Sequence, residues 1–263
     1  MYTLGMTQSQ LLVSTPSIEQ TGPTSRYSLL LTRNDADVEA AQRLRYRVFA
    51  EELGATLNDA GSGRDIDRFD EHCDHLVVRA DRTGEIVGTY RMLPPERAGA
   101  AGGLYSETEF DLSAFAGLRS SLVEAGRSCV HPDHRSGAVV SLVWAGIARY
   151  LLLTGHSHLT GCASIPLADG GALARGVWES AKAKHMSPAE LRVTPWHPWD
   201  ADAAPRPERT VIPPLLRGYL RLGAWVCGAP AHDPDFGVAD LLVLLPLERV
   251  DPRYLRFFLG GDA

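Results

Sequence analysis

The sequence is poor in cysteine, and the cysteines that it has form no CxxC pair. They are spread through 263 residues without the regular spacing of a disulfide framework, at Cys73, Cys129, Cys162 and Cys227. This scarcity excludes a small secreted fold that is cross-linked by disulfide bonds. It favours reduced, packed thiols in a cytoplasmic protein.

Long apolar runs and an excess of positive charge are also missing. The longest apolar stretch, residues 138–153, is interrupted by Ser141, Gly146 and Arg149 and falls short of the ~20 residues of a membrane span. Residues 1–25 lack the basic start and the apolar core of a signal peptide. A net charge of −6 argues against nucleic acid as a partner, so an acidic partner must meet a local basic patch.

Metal-ligand spacing is absent from the two histidine pairs. His72 with His75, and His131 with His134, match neither a structural zinc site nor an HExxH motif. No metal site is therefore predicted.

What the sequence does contain is an alternation of strand-like and helix-like segments, which indicates an α/β fold. A hairpin around residues 81–84 makes the predicted sheet mixed rather than purely parallel. Residues 1–26, rich in Ser, Thr, Gln and Pro, are predicted to form a flexible arm. Residues 27–263 are predicted to form a single domain with a C-terminal extension.

The most informative stretch runs from Glu124 to Leu142. A predicted strand carries Glu124 and Arg127 and ends at Pro132, which lacks a backbone donor. An apolar helix begins a few residues later. A strand, a turn with free N–H groups and a helix N-terminus together form an anion cradle. With a potential base and a potential clamp beside the cradle, we interpret this stretch as the site of an acyl transferase.

Seven ordered motifs, spread over residues 27–255, resemble the ornithine–acyl-carrier-protein N-acyltransferases of bacteria. They read LRYRVFAEELGA (44–55), DRFDEHCDHLVV (67–78), VGTYRML (87–93), YSETEFDLS (105–113), GRSCVHPDHR (126–135), GCASI (161–165) and PPLLRGYLRLGAWVCGAPAHDPDF (213–236). The resemblance implies a GNAT-like mixed sheet, splayed after its central strand and flanked by helices, with a thioester's pantetheine arm in the splay. It also implies transfer of a 3-hydroxylated acyl chain from acyl carrier protein to the α-amine of ornithine, giving lyso-ornithine lipid.

A more distant resemblance is to the acyl-homoserine-lactone synthases. Their pattern of functional residues is matched by Arg45, Phe49, Asp67, Asp70, Arg91, Glu124 and Arg127. Gly54-Ala55 stands where that family has an aromatic partner in the early loop. Lactone synthesis from an adenosyl-sulfonium substrate is therefore not implied, whereas the shared acyl-transfer core is.

The phosphate loop of this chain departs from the GNAT pattern R/Q-x-x-G-x-G/A. Residues 135–139 carry one glycine and a compressed spacing, so the backbone approaches a pyrophosphate less closely. The arm of a carrier protein bears a single phosphodiester. We therefore predict acyl carrier protein, rather than acyl-CoA, as the donor, and no bound cofactor. The predicted cradle for the pantetheine and thioester consists of Cys129, Val130, Arg135, Ser136 and Gly137.

Amide formation needs a neutral amine, and a carboxylate can take the proton. Glu124 is the candidate base, because it precedes the turn on the central strand; the alternative is a solvated glutamate at a strand end. Arg127, three residues on, points to the opposite face of a regular strand, but a bulge would turn both side chains toward the site. Arg127 either clamps a carboxylate or forms an ordinary ion pair.

Arg45, Asp67, Asp70 and Arg91 are predicted to form an ion-pair network. It can shape an amino-acid pocket, with acids for a side-chain ammonium and arginines for the α-carboxylate. It can equally be a scaffold that holds the loop 55–73 against the sheet. Both interpretations stay open at this point.

Other acceptors remain as rivals to ornithine, namely lysine, glutamine, glycine and tyrosine. A lactone synthase is a further alternative. A non-catalytic module that binds acyl carrier protein is a rival from another class, but Glu124 and Arg127 together argue against it. The expected partners are acyl carrier protein and an amino acid. The expected location is the cytoplasm, with peripheral contact at the inner face of the membrane.

Overall fold

The computed structural model describes residues 9–14, 26–57, 60–135 and 137–259. Its strands are β1 (Gln10–Ser14), β2 (Tyr27–Thr32), β3 (Asp74–Ala80), β4 (Ile86–Leu93), β5 (Phe110–Asp111), β6 (Leu122–Val130), β7 (His158–Pro166), β8 (Thr194–Pro195), β9 (Trp225–Val226), β10 (Ala231–Asp233) and β11 (Val238–Pro246). Its α-helices are α1 (Asp35–Tyr46), α2 (Pro95–Ala98), α3 (Gly137–Thr154), α4 (Ala172–Lys184), α5 (Pro214–Arg221) and α6 (Pro252–Leu259).

One mixed sheet organises the described part of the chain. Its strands follow the order β1-β2-β3-β4-β6-β7-β11-β10, with β9 paired to β11, while β5 and β8 form a separate small sheet. Neighbouring strands run antiparallel except β6 and β7, which run parallel. The predicted α/β class and mixed sheet are confirmed.

The sheet is splayed between β6 and β7. Their parallel pairing covers only Leu122–Glu124 against His158–Thr160, although both strands continue for six more residues. Gly161 lies where the strands separate, and a Cβ atom there would come within 2.2 Å of the Ala125 carbonyl oxygen. Only glycine allows the two backbones to come this close, and Gly161 therefore marks in the sequence the point where the gap begins.

Alternating side chains of the strands supply both faces of the sheet with apolar residues. Leu29 and Leu31 belong to the large core that also contains α3 residues, whereas Leu30 belongs to a smaller core beside α1. Helix α3 is long and apolar enough to cross a membrane, but more than half of it is buried inside the fold. It packs against β2, β3 and β4, as the core helix of a sheet does.

The prediction of a flexible arm over residues 1–26 is wrong for Gln10–Ser14. These residues form β1, which pairs antiparallel with β2 and buries Leu12. The run QLLVS has enough apolar surface to extend the sheet, and the polar residues around it masked that signal. Residues 1–8 and 15–25 lie outside the described ranges.

Candidate active site

The splay between β6 and β7 opens into a cavity of about 730 Å³. Residues 125–128 of β6 and 162–164 of β7 form two facing walls, and residues 233–238 form a third. Apolar side chains cover much of the lining, including Phe49, Leu53, Phe69, Tyr90, Leu93 and Leu215. A cavity of this size and character suits a ligand with a long apolar part.

Glu124 lies at the bottom of the splay and is buried. Its Oε2 accepts a hydrogen bond from the Tyr105 N–H (2.6 Å), and its Oε1 accepts from the Ser106 N–H (2.8 Å) and from the Ser106 hydroxyl. A carboxylate has about four acceptor positions, so one position on Oε2 remains open. Burial raises the pKa of Glu124 above its ordinary value, and the hydrogen bonds from Ser106 and Tyr105 oppose that rise.

The predicted bulge in β6 is present. The pairing between β4 and β6 passes from Thr89–Cys129 to Arg91–Gly126, which leaves one extra residue in β6, and Arg127 adopts a positive φ of 52°. This backbone turns the Arg127 side chain to the cavity that Glu124 lines. Its guanidinium lies 4.6 Å from the ring centre of Phe236 and 5.1 Å from that of Tyr105. Both rings form cation–π contacts with it.

Arg45 forms the centre of a buried ion-pair network. Its side chain has no exposed surface, and it pairs with Asp65 and Asp70 at 2.8 Å each. Asp70 also accepts a hydrogen bond from the backbone N–H of Asp67. Neither Arg45 nor Asp70 is among the residues that line the large cavity. These contacts fit the scaffold interpretation, in which the pair holds the loop against α1.

Arg91, Asp67 and Phe49 lie closer to the open space. Arg91 lines the cavity, and its Nη1 lies 2.5 Å from Asp67 Oδ1. Burial alone would raise the pKa of Asp67, but the charges of Arg91 and Arg127 bring it below its ordinary value. Phe49 stands on a π-helical turn, Arg47–Glu52, which continues α1, and its ring packs edge-on against Phe236.

The residues predicted to cradle the thioester lie at the end of β6, in the turn after it and at the start of α3. The His131 N–H donates to the Val87 carbonyl across the antiparallel ladder with β4. Because N–H groups alternate along a strand, the Val130 N–H points away from β4 and into the splay, and the Cys129 N–H points toward β4. Burial raises the pKa of Cys129 to about 12, which disfavours a thiolate there at neutral pH.

Arg135 is not a free cation at the mouth of the cradle. It forms a bidentate ion pair with Glu52, in which Nη1 lies 2.7 Å from Oε1 and Nη2 lies 2.6 Å from Oε2. Its Nε donates to the Val130 carbonyl. Gly137 begins α3 as expected. Ser136 lies outside the described residues.

A cluster of three carboxylates, which we call the acidic trio, was not predicted from the sequence. Glu109, Asp233 and Asp240 place one oxygen each within 4.8 Å of one another, an arrangement that can hold a cation. Asp233 and Asp240 line the large cavity. Glu109 and Asp233 line an adjoining cavity of about 250 Å³.

Two carboxyl groups of the trio have pKa values well above those of exposed acids. Burial, reinforced by the charges of Asp240 and Asp233, raises the pKa of Glu109 to about 9. Burial also raises the pKa of Asp240 to about 6. One signal in the sequence pointed to this site: Asp240 is the sole charged residue in the apolar run VADLLVLLP of β11. Burying a carboxyl group in such a run is costly, so the position indicates a partner or a function for it.

Known proteins resemble the chain in sequence and in fold. The acetyltransferase (GNAT) domain family matches residues 44–145. A relative from Rhizobium meliloti (strain 1021), named L-ornithine N(alpha)-acyltransferase, is 36% identical, covering 95% of this chain and 90% of the relative. A relative of the same name from Agrobacterium fabrum (strain C58 / ATCC 33970) is 35% identical, covering 89% of this chain and 85% of its own length.

A solved structure has the same fold at much lower identity. It is that of BjaI, a CoA-dependent acyl-homoserine lactone synthase, with SAM and isopentyl-CoA. The TM-score is 0.50 and the identity 17%, over 87% of this chain and 85% of BjaI. This likeness shows a shared fold.

Proposed function

Because this chain belongs to the L-ornithine N(alpha)-acyltransferase family, we propose that it moves a 3-hydroxyacyl group from acyl carrier protein to the α-amine of L-ornithine. The product is lyso-ornithine lipid. The observation that carries the proposal is the splayed cavity, which has Glu124 at its base, Arg127 on its wall and an apolar lining beside them. This combination suits an apolar acyl chain together with a charged acceptor.

In the proposed mechanism the neutral α-amine attacks the thioester carbonyl carbon. The C–N bond forms while the carbonyl electrons move to oxygen, and a backbone N–H of β6 that faces the cavity stabilises this oxyanion. The open position on Glu124 Oε2 takes a proton from the amine, directly or through one water molecule. Collapse of the intermediate breaks the C–S bond. The departing thiolate of the carrier's arm takes up a proton, directly or through water, as Glu124 releases the one that it accepted, and Glu124 returns to its carboxylate form.

Arg127 is the proposed partner of the acceptor's α-carboxylate. Its Nε lies 3.3 Å from Asp65 Oδ2 and its Nη2 lies 3.4 Å from Asp67 Oδ2. Both contacts are long, and the buried Nε forms no hydrogen bond of good geometry within the described part of the chain. Arg91 is held more tightly, by a 2.5 Å contact with Asp67. Arg127 therefore has donors to offer a carboxylate, which guanidinium groups bind with two parallel hydrogen bonds.

Acyl carrier protein is the proposed donor for two reasons. The short phosphate loop suits one phosphodiester, as argued from residues 135–139. In addition, Leu215 of α5 lines the cavity, and Arg217 and Arg221 on the same helix are exposed. These arginines offer a local basic patch beside the cavity to an acidic carrier protein.

A panel of acceptors tests the proposed function. The purified protein is incubated with one 3-hydroxyacyl-carrier thioester and, in turn, ornithine, lysine, glutamine, glycine or tyrosine, and the products are identified by mass. We expect ornithine to give the highest kcat/KM. A higher value for another amino acid would replace ornithine as the acceptor, and homoserine lactone formation from an adenosyl-sulfonium substrate would move the chain to the lactone-forming reaction.

A further inference from the structure

The acidic trio places three carboxyl groups beside the cavity, and neither the mechanism nor the ion-pair network around Arg45 uses them. We infer that Glu109, Asp233 and Asp240 bind the distal ammonium of the acceptor amino acid and so select a diamino acid. This inference rests on the proposed function, because it names the part of the same site that reads the acceptor's side chain.

The trio contains polar atoms that have no partner within the described part of the chain. Asp240 is 2% exposed, and its Oδ1 is buried without a hydrogen-bond donor. Both carboxylate oxygens of Glu109 are buried as well and form no hydrogen bond of good geometry, although the Tyr105 hydroxyl lies near enough to oppose the rise in the pKa of Glu109. A buried carboxylate oxygen without a donor is costly, so these oxygens mark a place where a ligand with N–H groups fits.

The neighbouring aspartates are less suited to this task, because arginines already neutralise them. Asp67 pairs with Arg91, and Asp70 pairs with Arg45. In the trio, Arg127 is the cation that acts on Asp240, and it also faces Asp65 and Asp67. The trio therefore keeps an excess of negative charge that an ammonium can balance.

Tyr105 shows that an acceptor can span the two ends of the site. Its backbone N–H donates to Glu124, while its hydroxyl donates to Asp233 Oδ2 at 3.5 Å. One tyrosine thus reaches from the proposed base to the trio. The chain between the two amines of an extended ornithine is of similar length. An ornithine lying along Tyr105 therefore presents its α-amine to Glu124 and its distal ammonium to the trio.

The raised pKa values of Glu109 and Asp240 agree with this role. Without a ligand, burial and mutual repulsion keep a proton on the trio at neutral pH. An ammonium that enters can take the place of that proton and bring three N–H donors. Norvaline, which has the same carbon chain without the distal amine, offers no such donors.

Two variants test the inference, Glu109→Gln and Asp240→Asn. For each, the dissociation constants of ornithine and norvaline are measured by calorimetry without donor, and kcat/KM for both is measured with one acyl-carrier donor. We expect the wild-type protein to prefer ornithine by at least about 100-fold, since a site built for a polar group rejects the analogue that lacks it. Each variant should lower that preference at least about tenfold, mainly through weaker ornithine binding.

Asp202→Asn is the matched control. It removes a fully exposed carboxylate that lines neither cavity and should change the preference less than about twofold. Thermal melting of each variant checks folding. Because Glu109 and Asp240 stand on different elements, one variant still gives an answer if the other fails to fold.

Several results would overturn the inference. An unchanged preference in both variants would do so, as would equal binding of ornithine and norvaline to the wild-type protein. Binding of Mg²⁺ or Ca²⁺ that is lost in both variants, with ornithine binding unaffected, would assign the trio to a metal ion instead. If ornithine binds through the trio but no acyl transfer to it occurs, the proposed function fails while the ammonium site stands.

Discussion

Glu124 uses most of its carboxylate to hold the turn at residues 105–108 and presents the remainder to the cavity. Three donors from Tyr105 and Ser106 occupy three acceptor positions. They fix the orientation of the carboxylate, and burial makes it a stronger base than an exposed glutamate. Positioning and proton transfer are therefore joined in one residue.

Replacing Glu124 tests both roles. Glu124→Gln removes the proton acceptor and turns an amide NH₂ toward a backbone donor. We expect kcat to fall about 10²–10⁴-fold and the free energy of unfolding to fall by about 1–3 kcal/mol. Steady-state kinetics and urea unfolding measure the two effects. Turnover near the wild-type value at saturating ornithine would remove Glu124 from the chemistry.

Ser106→Ala separates the two roles. It removes the hydroxyl that donates to Glu124 Oε1 and leaves the carboxylate in place. Because this hydrogen bond lowers the pKa of Glu124, its loss raises that pKa further, and a larger fraction of Glu124 is protonated in mildly acidic solution. The acidic limb of the kcat–pH profile should therefore move to higher pH. A profile with an unmoved acidic limb would contradict Glu124 as the base.

Among single residues, the sequence predicted the site pairs whose members are close together along the chain, but not those that are far apart. Glu124 and Arg127 are three residues apart, so one strand and one bulge brought both to the cavity. Glu109 and Asp240 are 131 positions apart in the chain and meet only because β11 returns beside β7. No local pattern joins them.

The bulge in β6 is the element that forms the site, because it aims Arg127 at the cavity. It also places a non-glycine residue in the left-handed region, at φ 52°. Such a conformation costs about 1–2 kcal/mol for an L-residue. The strain lies at the position that is proposed to read the acceptor's carboxylate, as is common at functional sites.

A pair of substitutions isolates this strain. Arg127→Ala and Arg127→Gly both remove the guanidinium, but only glycine relieves the left-handed backbone. We expect both variants to raise the KM for ornithine at least about tenfold. The glycine variant should be more stable than the alanine variant by about 1 kcal/mol, as measured by urea unfolding. Equal KM values in wild type and both variants would exclude Arg127 from acceptor binding.

Long elements were predictable and short ones were not. The apolar helix predicted after Pro132 is α3, which extends one residue beyond the apolar stretch 138–153 at each end. Its long apolar pattern identifies it in the sequence. The π-helical turn after α1 and the three-residue β10 have no such pattern, since their form depends on neighbours such as Phe236 and β11.

At the scale of the whole molecule, an excess of negative charge makes docking of an acidic carrier depend on a local patch. Exchanging Arg217 and Arg221 for Glu should raise the KM for the acyl-carrier donor about tenfold or more and weaken its salt dependence. Arg82→Glu, in the exposed β3–β4 turn, is the control and should have little effect. Equal kcat/KM for acyl-CoA and the carrier thioester of the same chain would contradict the proposed donor.

In the proposed complex the cavity holds ornithine by both ends, so that its α-amine meets the thioester while the trio holds the distal ammonium. The measurement that tests this most directly is tandem mass spectrometry of the product formed by the purified protein from ornithine and a 3-hydroxyacyl-carrier thioester. The predicted result is acylation on the α-nitrogen alone, with the distal amine free. Acylation on the distal nitrogen, or a mixture of the two, would contradict the claim.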